Sequence, residues 1–522
     1  MVDTKKEQER DELHRAIWAI ADELRGAVDG WDFKNYVLGT MFYRYISENL
    51  CDYINSGEAD AGNADFDFAK MSDEDAEEAK EGLVEEKGFF ILPSELFCNV
   101  RANAANDENL NETLERVFRH IEESAKGSEA ESDFAGLFDD YDVNSNKLGS
   151  TVAKRNEKLV KLLNGIGEMN LGDVKDHSID AFGDAYEYLM TMYASNAGKS
   201  GGEFFTPADV SELLTRLGTV GKTEINKVYD PACGSGSLLL KAEKILGKDA
   251  IRNGFYGQEI NITTYNLCRI NMFLHDVGFD KFDIACEDTL LSPQHWDDEP
   301  FELIVSNPPY SIKWAGDENP LLINDPRFAP AGVLAPKSKA DMAFIMHSLS
   351  WLASNGTAAI VCFPGIMYRG GAEQKIRKYL VDNNYVDCVI QLPSNLFFGT
   401  SIATCIMVMK KNKADNRTLF IDATNECVKV TNNNKLTPEN IDRIVDVFAK
   451  REEVEYFSHL ASYEEVSDND YNLSVSTYVE AKDTREKIDI VKLNAEIKEI
   501  VAREQVLRDE IDKIIAEIEV DA

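Results

Sequence analysis

The sequence lacks three features: paired cysteines at metal-ligand spacing, a long apolar run and an excess of positive charge. Its nine cysteines are scattered, and no two are spaced C-x-x-C, so neither a zinc nor a redox motif is indicated. An odd number of unclustered cysteines is typical of reduced thiols in a reducing compartment. No apolar stretch approaches the ~20 residues that span a bilayer, and the amino terminus is polar, so we expect a cytoplasmic protein without a signal peptide.

The net charge of −38 opposes non-specific attraction to a polyanion. It does not exclude nucleic acid as a substrate, because binding depends on local charge and on partner chains. Much of the acid lies in residues 57–87, which we interpret as a solvated loop or frayed insertion. Residues 140–151 superficially resemble a calcium loop, but Ser145 replaces the required glycine and Thr151 the required glutamate, so no metal site is expected.

The length of 522 residues and the changes in periodicity indicate three regions. Residues 1–165 have helical apolar spacing and predict an α-helical amino-terminal domain, with one buried stripe at Leu13, Ile17, Ile20 and Leu24. Residues 166–480 alternate β-rich runs with helical patterns, which predicts a doubly wound, mostly parallel α/β domain. Its seven predicted strands lie at 227–229, 254–257, 282–285, 301–305, 358–363, 386–392 and 404–409.

Residues 481–522 carry a heptad pattern that predicts a coiled-coil-type helix. Such a helix has too little apolar surface to stand alone, so it either folds back on its own chain or pairs with a helix of another chain. The pairing interpretation is favoured. The pattern consists of Leu493, Ile497, Ile500, Leu507, Ile511, Ile514 and Ile518, with a polar interruption at Glu504.

A glycine-containing motif, D-P-A-C-G-S-G-S-L, follows the first predicted strand at residues 230–238 and opens a helix. Gly234 and Gly236 permit a tight turn and a close approach of a ligand to the backbone. The helix amino terminus can hold a carboxylate or ribose hydroxyls. Leu239 stands where the dinucleotide pattern has its third glycine, so a nicotinamide cofactor is disfavoured. By itself the motif is also compatible with a plain βα turn.

Acidic residues end the next two predicted strands. Glu259 lies 23 residues after Gly236, which is the spacing of an acid that accepts ribose hydroxyls. Asp288 follows the third strand and could accept a hydrogen bond from an adenine amine. Either acid alone is more often a helix cap or a solvated group. Polar groups at successive strand ends together favour a ligand site.

The most informative stretch is S-N-P-P-Y at residues 306–310, directly after an apolar run of strand length. Two consecutive prolines cannot continue a helix or pair in a central sheet, so they predict a stiff turn. Open α/β sheets bind their ligands at this carboxyl end of the strands. An amide, a proline carbonyl and an aromatic face suit a flat ring that carries an amine.

Residues 201–207, G-G-E-F-F-T-P, predict a loop that caps the following helix. Anchoring in the core would explain the two phenylalanines. A loop that closes over a cofactor would explain the glycines as well, and both interpretations stay open.

The motifs at residues 230–236 and 307–310 resemble those of S-adenosylmethionine-dependent amino-methyltransferases that modify adenine N6, and the 202–207 motif upstream matches the gamma-class order. The chain most closely resembles the methylation (M) subunit of type I restriction–modification systems. The resemblance covers nearly the whole chain, and residues 57–87 match least. Further matching segments are residues 369–377, 392–400 and 471–475.

This resemblance implies a seven-stranded S-adenosylmethionine-dependent methyltransferase domain and a catalytic turn. The Asn307 oxygen and the Pro308 carbonyl would accept hydrogen bonds from the target amine, with Pro309 completing the turn. Tyr310 would stack on the base, which must be flipped out of the duplex. No general base is nominated, because the methylated amine loses its proton easily. The implied cofactor-binding residues are Glu203, Phe204, Phe205, Thr206, Pro207, Asp230, Gly234, Ser235, Gly236, Ser237, Glu259 and Asp288.

Within that set the resemblance implies separate roles. Phe205 and Thr206 would contact the methionine part of the cofactor, Glu259 the ribose and Asp288 the adenine. The implied partners are DNA, a specificity subunit that reads the target, a second methylation subunit and an ATP-dependent restriction subunit. Residues 481–522 would serve subunit assembly. Two other functions remain open: an amino-methyltransferase that acts on protein glutamine or RNA, and an inactive assembly scaffold.

Overall fold

The computed structural model describes residues 2–24, 30–171, 181–196, 206–397, 400–430, 433–481 and 489–520. The chain divides into two compact units, Met1–Val479 and Glu480–Ala522. The first unit contains both the helical amino-terminal region and the sheet. No helix in the described ranges is long and apolar enough to cross a membrane.

Helices form the amino-terminal part of the first unit. Leu13, Ile17 and Ile20 are buried, as their spacing predicts, whereas the side chain of Leu24 is outside the described set. The helices are α1 (Val2–Leu24), α2 (Gly30–Asp60), α3 (Asp73–Glu77), α4 (Lys80–Lys87), α5 (Phe97–Ala104), α6 (Leu110–Ser124), α7 (Glu131–Phe134), α8 (Val152–Glu168) and α9 (Ala181–Asn196).

The interpretation of residues 57–87 as a loop or frayed insertion is wrong. The segment holds the end of α2 and all of α3 and α4, and Ser72 caps α3 by accepting a hydrogen bond from the Asp75 amide. Phe68, Ala76 and Leu83 are buried. Widely spaced apolar residues are enough to fix these short helices while most of the acidic side chains remain in solvent.

All seven predicted strands are present, and the fold class is confirmed, but the sheet has nine strands. Two strands at one edge extend it, in the order β11-β8-β6-β7-β5-β4-β1-β2-β3. β7 is antiparallel to both of its neighbours, and β11 is antiparallel to β8. The sheet strands are β1 (Val228–Asp230), β2 (Phe255–Glu259), β3 (Phe282–Cys286), β4 (Phe301–Ser306), β5 (Leu352–Cys362), β6 (Val386–Gln391), β7 (Cys405–Lys410), β8 (Thr418–Asp422) and β11 (Ser458–Ala461); β9 (Val428–Val430) and β10 (Asn433–Lys435) form a separate hairpin.

Helices connect and cover these strands. The central strands β3, β2, β1, β4 and β5 are mutually parallel, so their carboxyl ends share one edge. The strand order reverses between β1 and β4, which is where doubly wound sheets form ligand crevices. The helices of this part are α10 (Ala208–Thr219), α11 (Ser237–Leu246), α12 (Ile262–Leu274), α13 (Asp341–Trp351), α14 (Ala372–Asp382), α15 (Pro438–Lys450) and α16 (Tyr463–Asp468).

The second unit contains one long helix, α17 (Ile490–Val520). Its predicted apolar seam is exposed to solvent, from 43% at Leu493 to 65% at Ile500. An exposed apolar stripe of this length is unusual for a helix that functions alone.

Candidate active site

A cavity of about 320 Å³ opens at the carboxyl ends of β1, β2 and β4. Its size falls within the range of small-molecule sites. Nine of the predicted site residues line it: Thr206, Asp230, Gly234, Ser235, Ser237, Glu259, Asp288, Asn307 and Pro309.

Of the other predicted residues, Pro207, Gly236, Pro308 and Tyr310 are described and are not part of the lining. Pro207 precedes α10, Gly236 is buried behind the glycine loop, and Pro308 is buried within the turn. Tyr310 contacts Asn307 instead of the cavity. Glu203, Phe204 and Phe205 lie outside the described residues.

The glycine loop between β1 and α11 depends on backbone conformations that favour glycine. Gly234 and Gly236 have φ values of +54° and +78°. A Cβ atom at Gly236 would lie 2.7 Å from the Cys268 sulfur, so a side chain is excluded by space as well as by conformation. The loop can therefore pack tightly on α12 while its other side faces the cavity.

Asp230 joins this loop to the N-P-P-Y turn that follows β4. Its Oδ1 accepts hydrogen bonds from the Ser306 hydroxyl at 2.6 Å and from the Ala232 amide at 3.0 Å. Oδ2 is buried and has no hydrogen-bond partner among the described residues. Burial raises the pKa of Asp230 to about 7. An unpartnered carboxylate oxygen beside a cavity fits a ligand that carries a positive group.

The two acids at the following strand ends hold different parts of the cavity wall. Glu259 accepts hydrogen bonds from the Gly234 amide at 3.1 Å and from the Asn261 amide at 2.9 Å, and burial raises its pKa. Asp288 Oδ1 accepts the amides of Leu290 and Leu291 at 2.9 and 3.3 Å. Both carboxylates retain lone pairs that can accept ligand hydroxyl or amine groups.

The turn after β4 has a closed arrangement of side chains. The Asn307 amide donates to the Thr206 hydroxyl at 3.1 Å, and its Oδ1 accepts the Tyr310 hydroxyl at 2.5 Å. Burial raises the pKa of Tyr310 well above its ordinary value. Ser311 has a φ of +53°, and its amide donates to Asp341 Oδ2 at 3.0 Å, which holds the end of the turn against α13.

Several lining residues were not predicted from sequence, including Gln258, Thr289, Leu290, Trp314 and Phe344. Gln258, Thr289, Leu290 and Trp314 each lie within four residues of a predicted site residue, and this proximity was the available signal. Phe344 had no such signal. Gln258 precedes Glu259 and donates to the carbonyls of Glu287 and Ser292 at 3.1 and 2.9 Å. It therefore ties the segment that carries Asp288 to β2.

A buried arginine also supports this segment. Arg327 donates to the carbonyls of Thr289 and Leu290, both at 2.8 Å, and pairs with Asp325 at 2.8 Å. Its Nη1 lies 3.1 Å from Nδ1 of the buried His347. A buried guanidinium whose donors are satisfied fixes the backbone around it.

The cavity thus combines a glycine loop, three carboxylates and an amide–proline turn. These groups suit a nucleoside with an amino-acid moiety. Asp230 can face its positive group, Glu259 and Asp288 can accept its hydroxyl or amine groups, and the glycine loop leaves room for it against the backbone. The Asn307 oxygen can accept from a planar amine once Tyr310 releases it. S-adenosylmethionine fits the glycine loop and the three carboxylates, and a base that carries an amino group fits the turn at Asn307.

Comparisons with known proteins match most of the chain. Residues 177–487 match the N-6 DNA methylase family, and residues 13–166 match the HsdM N-terminal domain. The type I restriction enzyme MpnII methylase subunit of Mycoplasma pneumoniae is 50% identical, covering 100% of this chain and 98% of the relative. The MjaVII methylase subunit of Methanocaldococcus jannaschii is 31% identical, covering 98% of this chain and 85% of the relative.

A solved structure gives the same result. The type I restriction-modification system methyltransferase subunit from Streptococcus thermophilus superposes with a TM-score of 0.82 at 36% identity, covering 90% of this chain and all of that one. These matches confirm the resemblance that the sequence motifs indicate.

Proposed function

We propose a reaction for this chain, which belongs to the N-6 DNA methylase family and, within it, to the type I restriction enzyme methylase subunits. The reaction is transfer of a methyl group from S-adenosylmethionine to N6 of a flipped-out adenine in DNA. One observation carries the proposal most directly: the Ser306–Asp230 hydrogen bond joins the glycine loop to the turn that can hold an amine. The groups suited to the cofactor and to the base therefore meet at one cavity.

The cofactor side of the cavity is assigned from the chain's own groups. Asp230 Oδ2 would accept the cofactor ammonium, Glu259 the ribose hydroxyls and Asp288 the adenine amine. Thr206 and residues 234–237 would line the methionine part. When bound, S-adenosylmethionine supplies an activated methyl group on a sulfonium. Glu203, Phe204, Phe205 and Pro207, just upstream of α10 in the sequence, complete the proposed cofactor set.

The base side depends on the direction of the Asn307 amide. Its bond to Thr206 fixes Nδ2, so Oδ1 is presented on the opposite side of the amide. Oδ1 and the Pro308 carbonyl would accept both hydrogens of the target amine, which directs the nitrogen lone pair along the transfer path. Pro309 forms the cavity-facing side of the turn, and Tyr310 would move to stack on the flipped base.

The test is methyl transfer from tritiated cofactor to separate DNA, RNA and protein fractions, with the chain in its complex with a specificity subunit. Label should appear in DNA at adenine N6. Asn307→Ala should lower the rate by at least about 10²-fold, as expected for a lost positioning group. Asn355→Ala, an exposed asparagine at the opposite end of the strands, is the matched control.

Label confined to RNA or protein would refute the DNA assignment. A parent chain that neither binds S-adenosylmethionine in calorimetry nor transfers methyl would support an assembly scaffold instead. Cofactor binding retained in Asn307→Ala with transfer lost would separate the base side of the cavity from the cofactor side.

We further propose that the chain acts in a cytoplasmic complex with a specificity subunit, a second methylation subunit and an ATP-dependent restriction subunit. The charge of −38 supports recognition by another chain, because this chain alone repels DNA at long range. The exposed seam of α17 supports a helical partner. Removal of residues 484–522 should abolish copurification with the specificity subunit, and unchanged assembly would exclude the helix as the contact.

A further inference from the structure

A second cluster of ligand-type side chains lies on the sheet and does not line the cavity. Asp283 is on β3, and His295 and Asp298 lie in the loop between β3 and β4. His295 is only 1% exposed, and its Nδ1 faces Asp298 Oδ2 at 3.3 Å and Asp283 Oδ2 at 3.7 Å. One donor atom from each residue lies within 4.8 Å of the others.

The surroundings of the His295 ring determine which nitrogen is available. Nε2 lies 2.9 Å from the Gly257 carbonyl oxygen, which can only accept, so Nε2 carries a hydrogen. Edge contacts with Tyr229 and Tyr256 hold the ring. In the neutral ring Nδ1 is then an acceptor that faces two carboxylates, an arrangement that a cation between them would stabilise. An N–H donated to a backbone carbonyl is also the usual support of a metal-binding histidine.

The spacing of the donor atoms suits one metal ion. His295 Nδ1 lies 3.3 Å from Asp298 Oδ2 and 3.7 Å from Asp283 Oδ2. Two donors that bind one tetrahedral ion at about 2.0–2.1 Å lie about 3.3 Å apart. The ammonium of Lys227 approaches the other Asp298 oxygen, Oδ1, at 3.9 Å and so leaves Oδ2 available.

We propose that Asp283, His295 and Asp298 bind a divalent transition-metal ion of the zinc class, with water completing the coordination. The imidazole ligand disfavours Mg²⁺ and Ca²⁺, which prefer oxygen ligands. The Asp283 side chain is 60% exposed, which gives the ion a path from solvent. The ion would fasten the loop after β3 to the sheet and so support the cavity wall at Asp288. The ligand spacings of 12 and 3 residues match no zinc motif, so sequence alone gives no signal.

The experiment uses the full chain, reduced and stripped with chelator, and measures Zn²⁺ binding by calorimetry and Co²⁺ binding by visible absorption. One ion per chain should bind, without a thiolate charge-transfer band. Asp283→Asn and His295→Gln should weaken binding by about tenfold or more. Asp297→Asn, an exposed neighbour outside the cluster, should bind as the parent does, and Mg²⁺ should not compete.

Zn²⁺ should also raise the melting temperature of the parent and of Asp297→Asn but not that of Asp283→Asn. Because Asp283 is largely exposed, its variant should fold even if His295→Gln does not. Absence of saturable binding would show that the proposal is wrong. Equal affinity in Asp283→Asn and Asp297→Asn, or a thiolate band that places the ion on cysteines, would also overturn it.

Discussion

Replacing Tyr310 by phenylalanine should improve the binding of target DNA. The Tyr310 hydroxyl donates at 2.5 Å to the Asn307 oxygen, which is the proposed acceptor of the target amine. Breaking such a bond costs about 0.5–1.5 kcal/mol net, which corresponds to about 2- to 12-fold in an equilibrium constant. Phenylalanine does not form this bond, yet it retains the aromatic face, whose stacking is worth about 1–3 kcal/mol per base.

The assay is steady-state methyl transfer on a duplex that carries one target site, with the assembled complex. Tyr310→Phe should lower KM for DNA by about 2- to 10-fold with little change in kcat, because the released bond acts before the transfer step. Tyr456→Phe, an exposed tyrosine near the far edge of the sheet, is the matched control. A higher KM for Tyr310→Phe would refute the reasoning, because the hydroxyl would then contribute to the bound state.

Three further predictions concern the cofactor side of the cavity. From about pH 4 to the Asp230 pKa of about 7, the unfolded chain has released this proton while the folded chain keeps it, so stability falls as pH rises. Urea unfolding at several pH values should show a smaller fall in the free energy of unfolding for Asp230→Asn than for the parent. An unchanged dependence on pH would contradict the raised pKa of Asp230. Gly236→Ala should lower the free energy of unfolding by about 1 kcal/mol or more because φ is positive there, and the clash with Cys268 should lower it further. The same variant should weaken S-adenosylmethionine binding in calorimetry. Arg327→Met should lower the free energy of unfolding by about 1–3 kcal/mol, because it leaves the buried carbonyls of Thr289 and Leu290 without their donor, and should raise the cofactor Kd through the Asp288 segment. Normal cofactor affinity in Arg327→Met would show that this segment holds without the arginine.

The sequence predicts the central strands well because each is an apolar run that ends in a polar group. It places the start of β5 too late, at 358 instead of Leu352. Residues 354–356, S-N-G, have turn composition, yet the strand continues through them with a shift in register against β4. Strand β11 was missed because Ser458–Ala461 is short and only partly apolar, as an edge strand can be.

For the site, the motifs predict which strand ends meet, since parallel strands bring their carboxyl ends together. They do not predict contacts made by residues distant in sequence. Arg327 reaches carbonyls of residues 289 and 290, and no local pattern marks that partnership. The hydrogen bond between the Tyr310 hydroxyl and the Asn307 oxygen likewise depends on side-chain geometry, which the four-residue motif does not predict.

The bond between Ser306 and Asp230 has a consequence for the nucleic acid. Because it fastens the two halves of the cavity at the ends of β1 and β4, the protein core sets the separation between the proposed positions of methyl donor and acceptor. In the proposed reaction, alignment would therefore come from the DNA, which would bend and unstack until its base reaches that fixed position. Duplexes whose target adenine is already weakly paired should be methylated fastest, because they resist that distortion least.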